Sequence, residues 1–301
     1  MRVLREVAVH GTIAGAAAAL DFTPSAVSQQ LAVLEREAGV ALVDRGPSSV
    51  VLTEAGRTLV DHAEIVLAQL AKAEADLRSI GGLRSGRLRV GSFSSVAELT
   101  SRALHSFHMR YPDVELTVTE SDTQDSLARI QRGELDVALV YIYDYAPLDV
   151  IQTIEIRELM RDPVVVAVPD THPLAARASV SLTELTGEHW LVEGPGSVCQ
   201  RLVQGACRKA GFEPKVHLAS TTDYRIAQAL VAAKIGIAFI PRLAQQAHAG
   251  VAYLTPDDPV GRTIAVAYRA GGRRSRAVTT MIDILQQTAA RADPGHPQTH
   301  R

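Results

Sequence analysis

Gln29 stands with Ser25, Ser28, Ala32 and Arg36 on one side of a helical register running from Pro24 to Ala38. A side-chain amide presents donor and acceptor in one plane, the pattern that pairs bidentately with an adenine edge in a major groove. Small and hydroxyl-bearing neighbours let such a helix approach closely, while Val27, Leu31, Leu34 and Ala38 form an inward apolar stripe. Thr23 and Pro24 make its start, a capping hydroxyl followed by a ring that needs no N–H, and Gly39 its stop. The chemistry implied is the reading of duplex DNA. On this pattern alone, an ordinary helical hairpin with a solvated polar face is the commoner reading.

A second set of residues suits a small molecule. Ser94, Ser95, Thr123, Gly196, Ser197 and Thr222 each stand where a predicted strand gives way to a helix. Ligands of open α/β sheets sit beyond the carboxyl ends of strands, where helix amino termini offer N–H groups and a positive dipole end. Hydroxyls and amides converging there suit a carboxylate or a similarly polar effector. Each one is also a plain helix cap, and the set is stronger than its members.

Other chemistries find no support. His105 and His108 lie three apart on a predicted helix but have no third ligand nearby, so no metal site is expected. Cys199 and Cys207 on one helix would sit about 12 Å apart, too far for a disulfide, and read as free thiols. GPGSVC lacks the spacing of a nucleophile elbow, and no phosphate loop or dinucleotide fingerprint occurs. No enzyme and no cofactor beyond an effector is expected.

The positioning elements follow from periodicity. Thr12 caps a short helix through Ile13, Ala16, Ala17 and Leu20, which with the helix from Pro24 makes a helix-turn-helix. Two β-prone stretches, Ala41–Val43 and Val50–Leu52, flank Gly46-Pro47 and predict a hairpin wing, with Arg45, Ser48 and Ser49 placed for phosphates. Thr53 then caps a long helix to about Ile80. Leu59, Ala63, Val66, Leu70, Ala73, Leu77 and Ile80 recur on it with a 3.5-residue period, the seam of a paired supercoil, although alanine at two seam positions leaves a helix packed on its own domain as the alternative. From Leu88 strands alternate with helices in two successive sets, which predicts an α/β region of two lobes. The expected organisation is a winged helix-turn-helix over 1–56, a linker helix over 57–81, a flexible joint over 82–87, and an effector domain over 88–291. Within that domain lobe I takes about 88–162 plus 268–291 and lobe II about 163–267, and 292–301 reads as a disordered tail.

The 301 residues are 47% hydrophobic with no apolar run long enough for a membrane span, and the opening, interrupted by Glu6 and His10, does not read as a secretory signal. A cytoplasmic protein is expected. The net charge of −2 gives no global attraction to nucleic acid, so any DNA contact must come from local geometry.

The stretch AAAALDFTPSAVSQQLAVLEREAGVALVDRGPSSVVLTEAG resembles the DNA-binding signature of LysR-type transcriptional regulators throughout. The region beyond the joint resembles that family's effector domain, through GELDVAL at 133–139, HPLA at 172–175 and VAAKIGIAFIP at 231–241. The resemblance implies a type II periplasmic-binding-protein fold, its chain crossing twice between the lobes. It further implies a homodimer paired through the linker helix and assembled into a homotetramer, with double-stranded DNA carrying an interrupted palindrome as partner. Ser25, Ser28 and Gln29 would face the major groove, and Arg45 with Ser49 would flank the backbone. Three departures stand out: the first helix, Met1 to about Val9, looks clipped; Gln29 replaces a common arginine, implying weaker nonspecific affinity; and Lys234 replaces a small residue, so that helix end is expected to be rearranged. The competing reading is a periplasmic solute-binding protein, which shares the two-lobed fold but has no use for the first eighty residues; an enzyme built on that fold is a distant third.

Overall fold

The computed structural model describes residues 1–46, 49–79, 86–148, 151–218, 222–271 and 274–292, without the side chains at 64–65, 68–69, 71–79 and 218. They form two compact units.

The first unit holds α1 (Arg2–His10), α2 (Ile13–Ala19), α3 (Pro24–Ala38), β1 (Val43–Arg45), β2 (Val50–Leu52) and α4 (Glu54–Ser79). Thr12 Oγ1 accepts from Gly15 N at 3.0 Å and Thr23 Oγ1 from Ala26 N at 3.2 Å, so both expected caps close helix starts. Gly11 and Gly39 end α1 and α3 in the left-handed conformation, at φ 64° and 71°. Leu4, Val7, Ala16, Val27, Leu31, Leu42 and Val60 make one core.

The wing begins later than expected, at Val43 and not Ala41, and the reason is local. The N–H groups of Leu42 and Val43 donate to the Glu35 carboxylate, at 3.0 and 3.3 Å, and Thr53 takes the carbonyls of Ala41 and Leu42 through its hydroxyl and its N–H. The ladder can start only after those groups. Gly56 permits this close approach: a Cβ there would lie 2.0 Å from the Leu42 carbonyl oxygen.

The second unit opens with β3 (Gly86–Ser92), α5 (Ala97–Arg110), β4 (Val114–Glu120), α6 (Thr123–Gln131) and β5 (Val137–Tyr143). Gly86 and Arg87, expected in the joint, are paired with Val114 and Glu115 of β4, while 80–85 lie outside the described residues. β6 (Ile154–Pro169) carries the chain out of lobe I. Lobe II contains β7 (Ser179–Val180), β8 (His189–Val192), α7 (Val198–Lys209), β9 (Lys215–Leu218), α8 (Tyr224–Ala232), β10 (Ala238–Pro241) and β11 (Val251–Pro256). β12 (Gly261–Arg269) returns, and α9 (Arg276–Ala292) completes lobe I.

The main sheet runs β4-β3-β5-β12-β6-β11-β7, with β10 also on β6. β6 pairs with β12 from Ile154 to Pro163 and with β10 and β11 from Val164 to Pro169, so one strand serves both lobes. β12 pairs with β5 from Arg262 onward. Lobe I therefore resumes near 261, earlier than the expected 268, because the whole strand RTIAVAYR belongs to its sheet. Ala292, expected in the tail, is the last residue of α9, and 293–301 lie outside the described residues. Among the described residues no helix is long and apolar enough to cross a membrane.

Candidate functional site

On α3, Ser25 and Gln29 are exposed and Ser28 is half-buried beside the inward stripe. The Thr23 hydroxyl lies 3.0 Å from Ser25 Oγ, so these two hydroxyls are tied to the helix start, whereas Gln29 keeps its amide open to solvent. Gln30 exposes a second amide beside it, which the face read from the sequence omitted. Arg45 reaches back from the wing to Glu35, Nη2 to Oε2 3.5 Å, and stays half-exposed. Ser49 is exposed at the wing tip, its carbonyl accepting from Gly46 N at 2.9 Å; Ser48 lies outside the described residues. Glu35, also unremarked in the sequence, joins the two parts: one carboxylate on the recognition helix holds two wing amides and the wing arginine. Its signal was present, an acid on α3 seven residues before an amide it must reach.

The seam on α4 divides. Leu59 packs against the core of its own unit and Ala63 is fully buried, so neither is free for a partner. Val66 and Leu70 are exposed apolar side chains, about half open to solvent at 45% and 53%. Ala73 and Leu77 lie on α4 where side chains are not described, and Ile80 lies outside the described residues.

Between the lobes the polar groups named from the sequence are largely engaged with the protein itself. Ser95 Oγ accepts from Arg262 Nη2 at 2.7 Å. Thr123 is buried, its hydroxyl donating to Tyr141 O at 3.3 Å and accepting from Tyr141 N at 3.0 Å, a bolt between α6 and β5. The Gly196 N–H donates to the Gln200 side chain at 2.6 Å, and Ser197 Oγ caps Gln200 N at 3.1 Å. Ser94 and Thr222 alone of the six are exposed with no side-chain hydrogen bond among the described residues.

What the sequence did not reveal is Arg262. It lies on β12 at the crossing point, fully buried, its Nε donating to Asp162 Oδ2 at 2.9 Å. Its guanidinium carbon is within 6.0 Å of the ring centroids of Phe93, Tyr141, Tyr143 and Tyr224. Burial works against the charged guanidinium, but the oxygens that face it, those of Tyr143 and Tyr224 and then Asp162, outweigh that and keep the arginine protonated. Tyr143 and Tyr224 join hydroxyls across the lobes at 2.6 Å. No local motif marks this cluster, whose members come from β5, β6, β12, α8 and the turn after β3, brought together only by the fold.

The comparisons with known proteins match this division of the chain. Residues 1–57 fit the family model "Bacterial regulatory helix-turn-helix protein, lysR family", and 81–290 fit "LysR substrate binding domain". The chain belongs to the LysR family. A hydrogen peroxide-inducible genes activator of Dickeya chrysanthemi is 30% identical over 276 residues, 90% of this chain and 88% of its own length. Two solved chains share the fold: a cysteine variant of full-length OxyR from Pseudomonas aeruginosa has a TM-score of 0.69 at 22% identity, covering 95% of this chain and 96% of that one. Full-length CbnR in complex with its target DNA gives 0.67 at 19%, covering 95% and 98%.

This LysR-type protein is accordingly a DNA-binding transcriptional regulator with an effector-binding domain, and its relatives are regulators, not enzymes. The two-lobed α/β fold and winged helix-turn-helix expected from the sequence are those observed. Within the regulator, α3 and the wing form the candidate DNA face, and the strand ends around Arg262 form the candidate effector site.

Proposed function

We propose that this regulator acts in the cytoplasm as a homodimer, assembled further into a homotetramer, that grips an interrupted palindromic operator with α3 of each copy. A small molecule held between the lobes, with no other cofactor, alters how the subunits hold and bend the DNA. The observation that carries the effector reading is the crossing at Asp162 and Arg262, where β6 runs on into lobe II and β12 begins lobe I again, so a ligand held there against both lobes can favour one lobe arrangement. Relatives support it, since one neighbour is described as an effector-binding domain holding its effector benzoate and another as bound to target DNA. Val66 and Leu70, apolar and exposed on α4, support pairing through that helix.

Footprinting of the full-length protein on genomic fragments tests both halves. The expected result is protection of two half-sites about one helical turn, or a multiple of it, apart, with an extent or bend that changes when a stabilising metabolite is added. Failure to protect any genomic duplex at low ionic strength would overturn the operator reading. Footprints identical in extent and bend with and without a bound effector would overturn the coupling.

A further inference from the structure

Past β10 the chain makes the single turn Arg242–Ala244, runs on to Ala249 and turns at Gly250, φ 86°, into β11. This loop and the start of β11 enclose an open hollow of about 660 Å³ on lobe II. Arg242, Gln245, Gln246, His248, Val251 and Tyr253 line it with two alanines, and none of the crevice residues described above takes part. The volume is that of a small-molecule site, far more than a single ion fills.

The loop is held from beneath by one side chain. Gln228 of α8 is fully buried, and both ends of its amide are used. Nε2 donates to the carbonyls of Tyr224 and Ala244, at 2.8 and 3.4 Å, while Oε1 accepts the Gln246 N–H at 3.1 Å and the Tyr253 hydroxyl. The backbone of the hollow is thereby fixed before a ligand arrives, which lowers the cost of binding. The polar side chains that line it are left over. The Arg242 guanidinium and the amides of Gln245 and Gln246 have no side-chain hydrogen bond or ion pair among the described residues, and no carboxylate lines the hollow. His248 Nδ1 lies 2.7 Å from the Ala249 carbonyl, which can only accept, so Nδ1 carries the proton and Nε2 is an acceptor. A guanidinium takes a carboxylate or phosphate as a fork, the amides can donate to its remaining oxygens, and Nε2 can accept a ligand hydroxyl.

The same turn leads to the crossing. The Leu243 N–H donates at 3.1 Å to Asp162, whose carboxylate pairs with Arg262. The turn also packs against the single turn Ser94–Val96 of lobe I, where Ser95 accepts from Arg262. Arg242 is thus the neighbour of the residue that ties lobe II to the buried pair.

We propose that this hollow is a second ligand site of the regulator, for a small hydroxylated anion, a phosphate ester or a carboxylate, which acts on the lobe arrangement through the turn Arg242–Ala244. The site shares no donor with the crevice, so it stands whether or not the crevice takes the effector. Because one turn forms both the wall of the hollow and the contact with lobe I, a ligand on Arg242 can favour one lobe arrangement over another.

Glucose 6-phosphate, glucuronate and glucose, similar bodies with a phosphate ester, a carboxylate or no charge, test this on the full-length protein. Calorimetry at millimolar concentration measures binding, and hydrogen exchange locates it. At least one anion is expected to bind about tenfold more tightly than glucose and to protect 242–253, and the stronger of the two assigns the anion class. Protection of 94–96 by the same anion is the sign of coupling to lobe I. Arg242→Gln should remove the advantage over glucose, while Arg110→Gln, which loses the same charge on α5 of lobe I, keeps it. Arg242 has no side-chain partner to strand, so its replacement should leave the melting temperature unchanged. If neither anion protects 242–253, or if their binding is indifferent to Arg242→Gln, the site is overturned. Protection confined to 242–253 would overturn the coupling. A change in oligomeric state on Arg242→Gln with anion binding unchanged would overturn the site in favour of a contact between copies.

Discussion

Asp162 and Arg262 form an ion pair, Oδ2 to Nη2 2.8 Å, in which both side chains are 1% exposed. They are cross-strand partners on β6, which runs on into lobe II, and β12, which begins lobe I again. The second carboxylate oxygen accepts the Leu243 N–H at 3.1 Å, and the guanidinium continues to Ser95, so the pair ties both lobes to the crossing. A buried pair of this kind is poor evidence for added stability, yet removing one partner leaves the other charge without compensation.

Asp162→Asn should therefore destabilise the effector domain by about 3–5 kcal/mol. Trp190, the single tryptophan, is fully buried in lobe II and reports unfolding of this domain in urea. A loss below about 1 kcal/mol would show that water or a shifted side chain neutralises Arg262 and that the pair does not hold the crossing.

Gly56 predicts a second, separable effect. The 2.0 Å distance from a built Cβ to the Leu42 carbonyl oxygen leaves no room for alanine, and a backbone atom cannot turn aside as a side chain can. Gly56→Ala should destabilise the DNA-binding unit by about 3 kcal/mol or more and abolish operator binding. Gly39→Ala is the control, since its Cβ would meet nothing within 4 Å and only the positive φ of 71° is strained. It should cost about 1 kcal/mol. Equal effects of the two, measured by thermal melting and gel shift, would refute the steric account.

The contrast between these two sites explains what the sequence could disclose. The turn of α3, its cap at Thr23 and its stop at Gly39 are local, set by residues within a few positions, and so are the alternating strands and helices of the lobes. The wing start depends on Glu35, and the candidate effector site on Arg262, whose partners Asp162 and Ser95 lie 100 and 167 residues away. Such contacts have no periodicity to detect. The same cause hid the partners of the hydroxyls: Ser95 and Thr123 stand after strands, but Arg262 and the Tyr141 backbone, which they bond, come from other strands. Leu59 and Ala63 have the spacing of the seam, but α1 lies against α4 and the seam's first turn is covered within the unit.

The relatives include hydrogen peroxide-inducible activators, so the state of the two thiols is a direct question. Burial pushes the Cys199 thiol from 9.0 to about 12, with the Glu193 charge adding to it, and burial pushes Cys207 to about 12 as well. The thiolate is the reactive form, and a raised value means less of it at neutral pH, by about a thousandfold for three units. Iodoacetamide should label the folded chain about a thousandfold more slowly than the denatured one at pH 7. The rate should keep climbing as pH rises through 8 to 10. A plateau between pH 6 and 8 would reveal an activated thiolate and favour direct peroxide sensing through these residues.

Lys234 provides a test in the opposite direction, toward greater stability. It adopts φ 62° just after α8, which ends at Ala232. Its N–H donates to Val231 O at 2.9 Å and Ile235 N–H to Leu230 O at 3.1 Å, a helix end in which the left-handed position ordinarily belongs to glycine. A lysine Cβ there costs about 1–2 kcal/mol, partly offset by the greater freedom a glycine has in the unfolded chain. Lys234→Gly should thus stabilise the effector domain by about 0.5–1 kcal/mol, Lys234→Asn by somewhat less, and Lys234→Ala by nothing, since alanine keeps the Cβ. Urea titrations followed by Trp190 fluorescence distinguish these outcomes. A gain with alanine equal to that with glycine would mean the lysine charge, and not the backbone conformation, is what the helix end tolerates poorly.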